Sequence, residues 1–97
     1  MQKTFTYNAG SPKYMPPESL KFNRYSVKSD IWGMGVIAYE LVYGHSPWKS
    51  LDEAKLYDLT TTVPIESLFD SNIPVSNHYK TFIVNCLRPN LNERAGP

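Results

Sequence analysis

Between Ser26 and Gly44 the chain carries Ile31, Trp32, Met34, Val36, Ile37, Ala38, Tyr39, Leu41 and Val42. At a helical period of about 3.6 residues these side chains wrap nearly all the way round the axis instead of forming a stripe. A helix that is apolar on every side has to be buried on every side, so the rest of the fold must be built around it. Gly44 suits its end, because glycine adopts the left-handed conformation just past a helix at no steric cost. This segment therefore reads as a hub and not as a surface element.

The flanking sequence fixes the outline. Met1 to Pro17 is rich in Thr, Ser, Gly and Pro, and Pro12, Pro16 and Pro17 forbid a continuous helix there. After the turn at His45-Ser46-Pro47, Ser50-Leu51-Asp52-Glu53 has the spacing of a capping box, which predicts a second helix running to about Leu59. Thr60, Thr61, Thr62 and Pro64 are expected to stop it. A polar connection through Asp70, Ser71, Asn72 and Pro74 follows, with one short turn. Beyond Ser76, the residues Tyr79, Phe82, Ile83, Cys86 and Leu87 recur on one helical face, which predicts a third, amphipathic helix ending near Pro89. The outline is mainly α, with a long N-terminal loop and three principal helices.

Composition excludes more than it assigns. With 97 residues, 41% of them hydrophobic and 20% charged, the chain suits one small globular domain better than a disordered tail. A formal charge of +1 with scattered Lys and Arg gives no basic stripe for nucleic acid. No apolar run is long enough to span a bilayer, and the polar opening does not read as a signal peptide. An intracellular, cytoplasmic setting is the default, with no membrane and no nucleic acid among the expected partners. Cys86 is the single cysteine, lies within an apolar pattern and reads as a buried core thiol; no Cys/His cluster has metal-ligand spacing.

Three motifs in order carry a family resemblance: Gly10-Ser11-Pro12-Lys13-Tyr14-Met15-Pro16-Pro17-Glu18; Ser29-Asp30-Ile31-Trp32-Gly33-Met34-Gly35 with the helix that follows; and Cys86-Leu87 ahead of Asn90-Leu91-Asn92-Glu93-Arg94. They resemble the end of the activation segment, the central helix and the closing arginine motif of a eukaryotic protein kinase C-terminal lobe. The resemblance covers nearly the whole chain and implies residues 1–97 as a partial kinase domain, with the N-lobe and catalytic loop absent. Tyr14-Met15, with Ser11 before Pro12, looks like the serine/threonine class, since tyrosine kinases usually carry Trp where Tyr14 stands. Pro16 replaces the family alanine, and Asn90-Leu91 replaces Asp-Pro.

What the resemblance implies can be stated residue by residue. Glu18 and Arg94 match a largely buried bidentate ion pair that pins the substrate loop to the lobe. Asp30 matches the aspartate that anchors the catalytic loop, a role compatible with a plain helix N-terminal carboxylate. Ile37 and Leu41 match the hydrophobic spine positions stacked beneath the adenine of ATP. Ser11 resembles the hydroxyl residue that bonds to the catalytic loop, Pro12, Lys13, Tyr14 and Met15 resemble the ledge beside the phosphoacceptor, and Glu40 matches an acid used by some members to recognise substrate arginine. Tyr7 holds the place of the usual activating threonine, with Thr6 and Thr4 nearby. Phosphorylation at Thr6 would add a charge of about −1.5 to −2; ordinary solvated loop residues are the alternative.

Phosphoryl transfer in this family requires a glycine-rich loop, a strand lysine with its glutamate partner, the catalytic-loop Asp and Asn, and the Asp-Phe-Gly metal ligand. None of these occurs in the 97 residues. The resemblance thus implies two readings. In the first, the chain is part of a serine/threonine kinase whose full-length parent uses ATP and Mg2+, and the segment supplies the substrate-docking loop and scaffold, meets a protein substrate and the remainder of the kinase domain, and binds neither cofactor alone. In the second, it is a non-catalytic remnant acting as a protein-binding module.

Overall fold

The computed structural model describes residues 12–96, and Met1–Ser11 and Pro97 lie outside the described residues. A 3-10 turn at Pro12–Tyr14 leads into α1, Pro17–Phe22. The central helix α2 spans Val27–Tyr43, α3 spans Glu53–Thr62, a second 3-10 turn covers Ile65–Leu68, and α4 spans Asn77–Cys86. No strand occurs among the described residues. The three principal helices expected from the sequence correspond to α2, α3 and α4.

Helix α1 is an addition to that expectation. Pro17 occupies its first position, where the missing N–H costs nothing, and Asn23 closes it in the left-handed region at φ 56°. The signal was present as Pro-Pro-Glu followed by Asn, but a segment this short carries no apolar period. Helix α2 starts at a reciprocal cap: Ser26 Oγ accepts from the Lys28 N–H at 3.1 Å, and Ser29 Oγ accepts from the Ser26 N–H at 2.9 Å. It ends at Gly44 with φ 79°.

The cap of α3 differs from the capping box read in Ser50 to Glu53. Asp52 is the N-cap, and its Oδ1 accepts from the Ala54 N–H at 3.0 Å. Ser50 Oγ instead accepts from the Asp52 N–H at 3.0 Å, holding the approach to the helix. Asp and Ser are comparable N-caps, and the Asp52 carboxylate in addition meets the positive end of the helix dipole. The threonines do not stop α3 either. Thr60 and Thr61 donate to the Tyr57 carbonyl at 3.0 and 2.8 Å, and Thr62 donates to the Asp58 carbonyl at 2.6 Å, so all three continue the helix by bonding back along it. Pro64 ends it by forcing Val63 into extended geometry.

The core gathers on one side of α2. Trp32, Val36, Tyr39, Leu56, Ile65, Ile83, Cys86 and Leu87 are buried together with Trp48, whose ring stacks on Trp32 at 5.4 Å. The indole N–H of Trp48 donates to the Val63 carbonyl at 3.0 Å, and the Tyr39 hydroxyl donates to the Leu68 carbonyl at 2.8 Å. Both aromatics therefore tie the connection after α3 to the hub. Helix α4 crosses α2 at closest approach over Gly35, and the Tyr79 hydroxyl reaches across to the Ala38 carbonyl at 2.7 Å. Burial pushes the Cys86 thiol up despite the opposing Arg94 charge, which suits an inert core residue.

The opposite side of α2 is open, which corrects the reading of the hub as covered all round. Met34, Ile37 and Leu41 are 52%, 40% and 78% exposed. Val27 and Asp30 are exposed on the same face, at successive helical steps of three and four residues. The described elements pack against one flank of the hub only. Trp32, in contrast, is fully buried, with the Trp48 ring stacked at 5.4 Å and the Arg94 guanidinium carbon 5.0 Å from its ring centre.

A side chain at position 35 has no room. A Cβ there would lie 2.6 Å from Cys86 Cβ and 2.9 Å from Leu87 Cγ, so Gly35→Ala is expected to push α4 off α2 and cost about 1–3 kcal/mol. Urea unfolding of the variant checks this, and an unchanged midpoint would show that the crossing is looser than described.

Candidate functional site

The Pro12–Tyr14 turn and α1 form one continuous loop edge, fixed to the body at two places. The first is Glu18 in α1. Arg94 donates Nη1 to Glu18 Oε2 at 2.7 Å and Nη2 to Glu18 Oε1 at 2.9 Å, a parallel bidentate pair. The Arg94 side chain is fully buried and that of Glu18 is only 10% exposed. The remaining guanidinium donors reach the Arg88 carbonyl at 2.9 Å, the Lys28 carbonyl at 3.0 Å and the Pro89 carbonyl at 3.4 Å, and the guanidinium carbon lies 5.0 Å from the centre of the Trp32 ring. One side chain thus joins α1, the start of α2, the end of α4 and the hub tryptophan.

The turn that presents Arg94 is local. Asn90 Oδ1 accepts from the Asn92 N–H at 2.9 Å, and the Asn90 carbonyl accepts from the Glu93 and Arg94 N–H groups at 3.0 and 3.1 Å. Asn90 therefore serves as the turn acceptor in place of an aspartate. Lys28 Nζ donates to the Leu91 carbonyl at 2.6 Å and closes the turn against α2.

The second fixing point is Glu40 on α2. Tyr14 donates its hydroxyl to Glu40 Oε1 at 2.9 Å, Ser46 donates to Oε2 at 2.8 Å, and Lys13 Nζ lies 3.2 Å from Oε2. Burial pushes the Glu40 carboxyl up, but the hydrogen bonds from Ser46, Tyr14 and Lys13 outweigh it and hold the group below the usual glutamate range. Glu40, Lys13, His45, Ser46, Trp48 and Lys49 line a groove of about 560 Å3 between the Pro12–Tyr14 turn and the loop after Gly44. Ser46 was not among the candidates from sequence; it sits six residues past Glu40, just beyond the helix end, and nothing in its local pattern marks it.

Of the residues singled out from sequence, Lys13, Tyr14 and Glu40 come together, as do Glu18 and Arg94. Pro12 is buried beneath the turn and Met15 is half-buried beside it, its N–H donating to the Pro12 carbonyl at 2.9 Å. Asp30, Ile37 and Leu41 lie apart from both clusters, on the open face of α2. Ser11, Thr4, Thr6 and Tyr7 lie outside the described residues.

Two outcomes follow from the two fixing points. Arg94→Met strands the Glu18 carboxylate in a nearly closed site and is expected to lower unfolding stability by about 3–5 kcal/mol; restoring much of that loss in the Glu18→Leu/Arg94→Met double variant marks the pair as the cause. A loss below about 1 kcal/mol in the single variant would assign the pair to the weak, exposed class. Because the Glu40 carboxyl is held low in the folded state, its contribution is present above the ordinary value of 4.5 and is lost as pH falls through its lower folded value. Urea midpoints should therefore drop more steeply below pH 4.5 in the natural chain than in Glu40→Gln.

The family model described as the protein kinase domain matches residues 1–97. The chain is 33% identical over 85 residues to the serine/threonine-protein kinase atg1 of Penicillium rubens, covering 88% of this chain and 9% of that protein. The same identity and coverage hold for the serine/threonine-protein kinase atg1 of Aspergillus oryzae. It is also 43% identical over 60 residues to the human tyrosine-protein kinase ABL2, covering 58% of this chain and 5% of that protein. The chain thus spans less than a tenth of the length of these relatives. Its helices, its pinned loop edge and its match over residues 1–97 place it in the protein kinase domain family, as a helical C-lobe portion of that fold.

Proposed function

We propose that the chain supplies the substrate-docking loop and helical scaffold of a serine/threonine protein kinase. The observation that carries this reading is the double fixing of the Pro12–Glu18 edge, by Arg94 at one end and by Glu40 at the other. A loop that must hold a protein substrate in register gains from being anchored by buried, charge-assisted bonds, since misplacement of a reacting group is costly. Tyr14 supports the serine/threonine class, and the serine/threonine relatives named above match over more of the chain than the tyrosine kinase does.

The open face of α2 supports a role within a larger assembly. Val27, Met34, Ile37 and Leu41 form an apolar stripe with Asp30 near its N-terminal end. In this reading the stripe seats the remainder of the kinase domain, with Asp30 holding the catalytic loop and Ile37 and Leu41 supporting the spine beneath the nucleotide. The setting is cytoplasmic; no helix among the described residues is long and apolar enough to cross a membrane.

In this reading ATP and Mg2+ belong to the full-length kinase and neither is bound by this chain alone. No group of three or more His, Cys, Asp or Glu among the described residues is arranged to hold a metal ion, and the sequence has neither a glycine-rich phosphate loop nor Asp-Phe-Gly. The chain's own share of the reaction is to hold and orient the protein substrate. Incubation with radiolabelled ATP and a generic substrate protein should give no transfer above a boiled control for the 97-residue chain. A longer polypeptide that adds the missing elements should label serine and threonine. Turnover by the chain alone, or labelling confined to tyrosine, overturns the reading.

A further inference from the structure

The groove beside the Pro12–Tyr14 turn is lined by one carboxylate, Glu40, and both of its oxygens are engaged internally. Tyr14 engages Oε1, and Ser46 and Lys13 engage Oε2. A substrate cation seeking Glu40 would have to displace these donors and then sit beside the Lys13 ammonium. Lys49 lines the same groove, so the incoming cation would meet a second like charge.

Lys13 is placed to do more than neutralise Glu40. Its side chain is 41% exposed, and of the three donors of an ammonium the contacts with Glu40 and Tyr14 direct two, leaving one toward the groove. The contact with Glu40 and the Tyr14 hydrogen bond keep the Lys13 group firmly protonated. Among the lining residues the charged groups are then Lys13 and Lys49 against a single glutamate; His45 also lines the groove, its Nδ1 3.0 Å from the Ser46 carbonyl oxygen. The balance of the groove is cationic, although the chain as a whole carries a formal charge of only +1.

We propose that this groove receives an acidic segment of the protein substrate, with Lys13 as the specificity-determining residue and Lys49 as a second contact. The inference rests on the reading of the Pro12–Met15 edge as substrate-docking and adds the chemical class of substrate that the edge selects. Lys13 converts what would be an open acid on α2 into a closed ion pair with a spare cationic face, and so reverses the sign of the side chain that docks there.

The test is calorimetric titration of the 97-residue chain with two serine peptides of equal length, flanked by Asp in one and by Arg in the other. The Asp peptide should bind roughly fivefold more tightly, the scale of a partly exposed ion pair. Equal affinities, tighter binding of the Arg peptide, or binding of neither at millimolar concentration overturns the proposal. Lys13→Ala should lose the preference for Asp and gain affinity for the Arg peptide as Glu40 is uncovered; an unchanged preference removes Lys13 from the assignment and sinks the proposal. Lys49→Ala should weaken the Asp peptide without helping the Arg peptide, and circular dichroism confirms that both variants keep their helices. Phosphate transfer by a longer polypeptide to the same two peptides separates this inference from the reading beneath it. Transfer without preference for Asp overturns the inference and leaves the kinase reading standing. Absence of transfer to either peptide, with the Asp preference intact in binding, overturns the kinase reading and leaves the acidic-segment site standing.

Discussion

The guanidinium of Arg94 is the point on which the arrangement depends. It is a permanently charged group with no exposure, and a charge without solvent is tolerable only when its donors are matched and its faces covered. Glu18 supplies the counter-charge, the Arg88, Lys28 and Pro89 carbonyls take the remaining donors, and the Trp32 ring lies 5.0 Å away. These partners come from α1, from α2 and from the segment after α4. The requirement to satisfy one cation therefore fixes where α1 lies relative to α2 and where the turn after α4 must end. Asn90 and Lys28 act on the same requirement from outside, by holding that turn in shape.

The hub helix reconciles two demands that conflict in a chain of this length. Its sequence is apolar nearly all round, yet the elements around it cover one flank. The covered flank is closed by large aromatics and a close helix crossing: Trp32 stacks on Trp48, Tyr39 packs against Tyr43 at 4.5 Å, and Gly35 lets α4 approach. The open flank carries the smaller share of aromatic surface but still exposes Met34, Ile37 and Leu41. Leaving such a stripe in water forgoes the stabilisation that burial of apolar surface would give.

Much of this was legible in the sequence, for identifiable reasons. Helix α2 could be read from its apolar density and from Gly44, which closes it in the left-handed region, and α4 from its one-sided period. The family could be read from motif order, since the pairing of Glu18 with Arg94 joins residues far apart in the chain that no local pattern connects. Beyond the open flank of the hub and the run of threonines that continues α3, three features escaped. Helix α1 is too short to show a period. The cap of α3 went to Asp52 and not to Ser50, because both residues can accept an N–H and only the three-dimensional approach decides between them. The engagement of Glu40 by Ser46 depends on how the chain turns after Gly44, which neither residue reveals alone.

Glu40 shows why a residue's match to a family position does not settle what it does. A carboxylate on α2 next to the Pro12–Tyr14 turn can take a cation from outside or from within the chain, and the choice depends on the residue placed opposite it. Here the loop itself brings Lys13 to within 3.2 Å, while Tyr14 and Ser46 fix the carboxylate's orientation. Holding the glutamate in that geometry favours its charged form and makes its displacement by another cation costly, since the freed lysine would remain beside the newcomer. The same pair thus fixes the loop and sets the electrostatic sign of the groove. Loop order and charge preference are in this way coupled through one contact, and a change at position 13 would be felt in both.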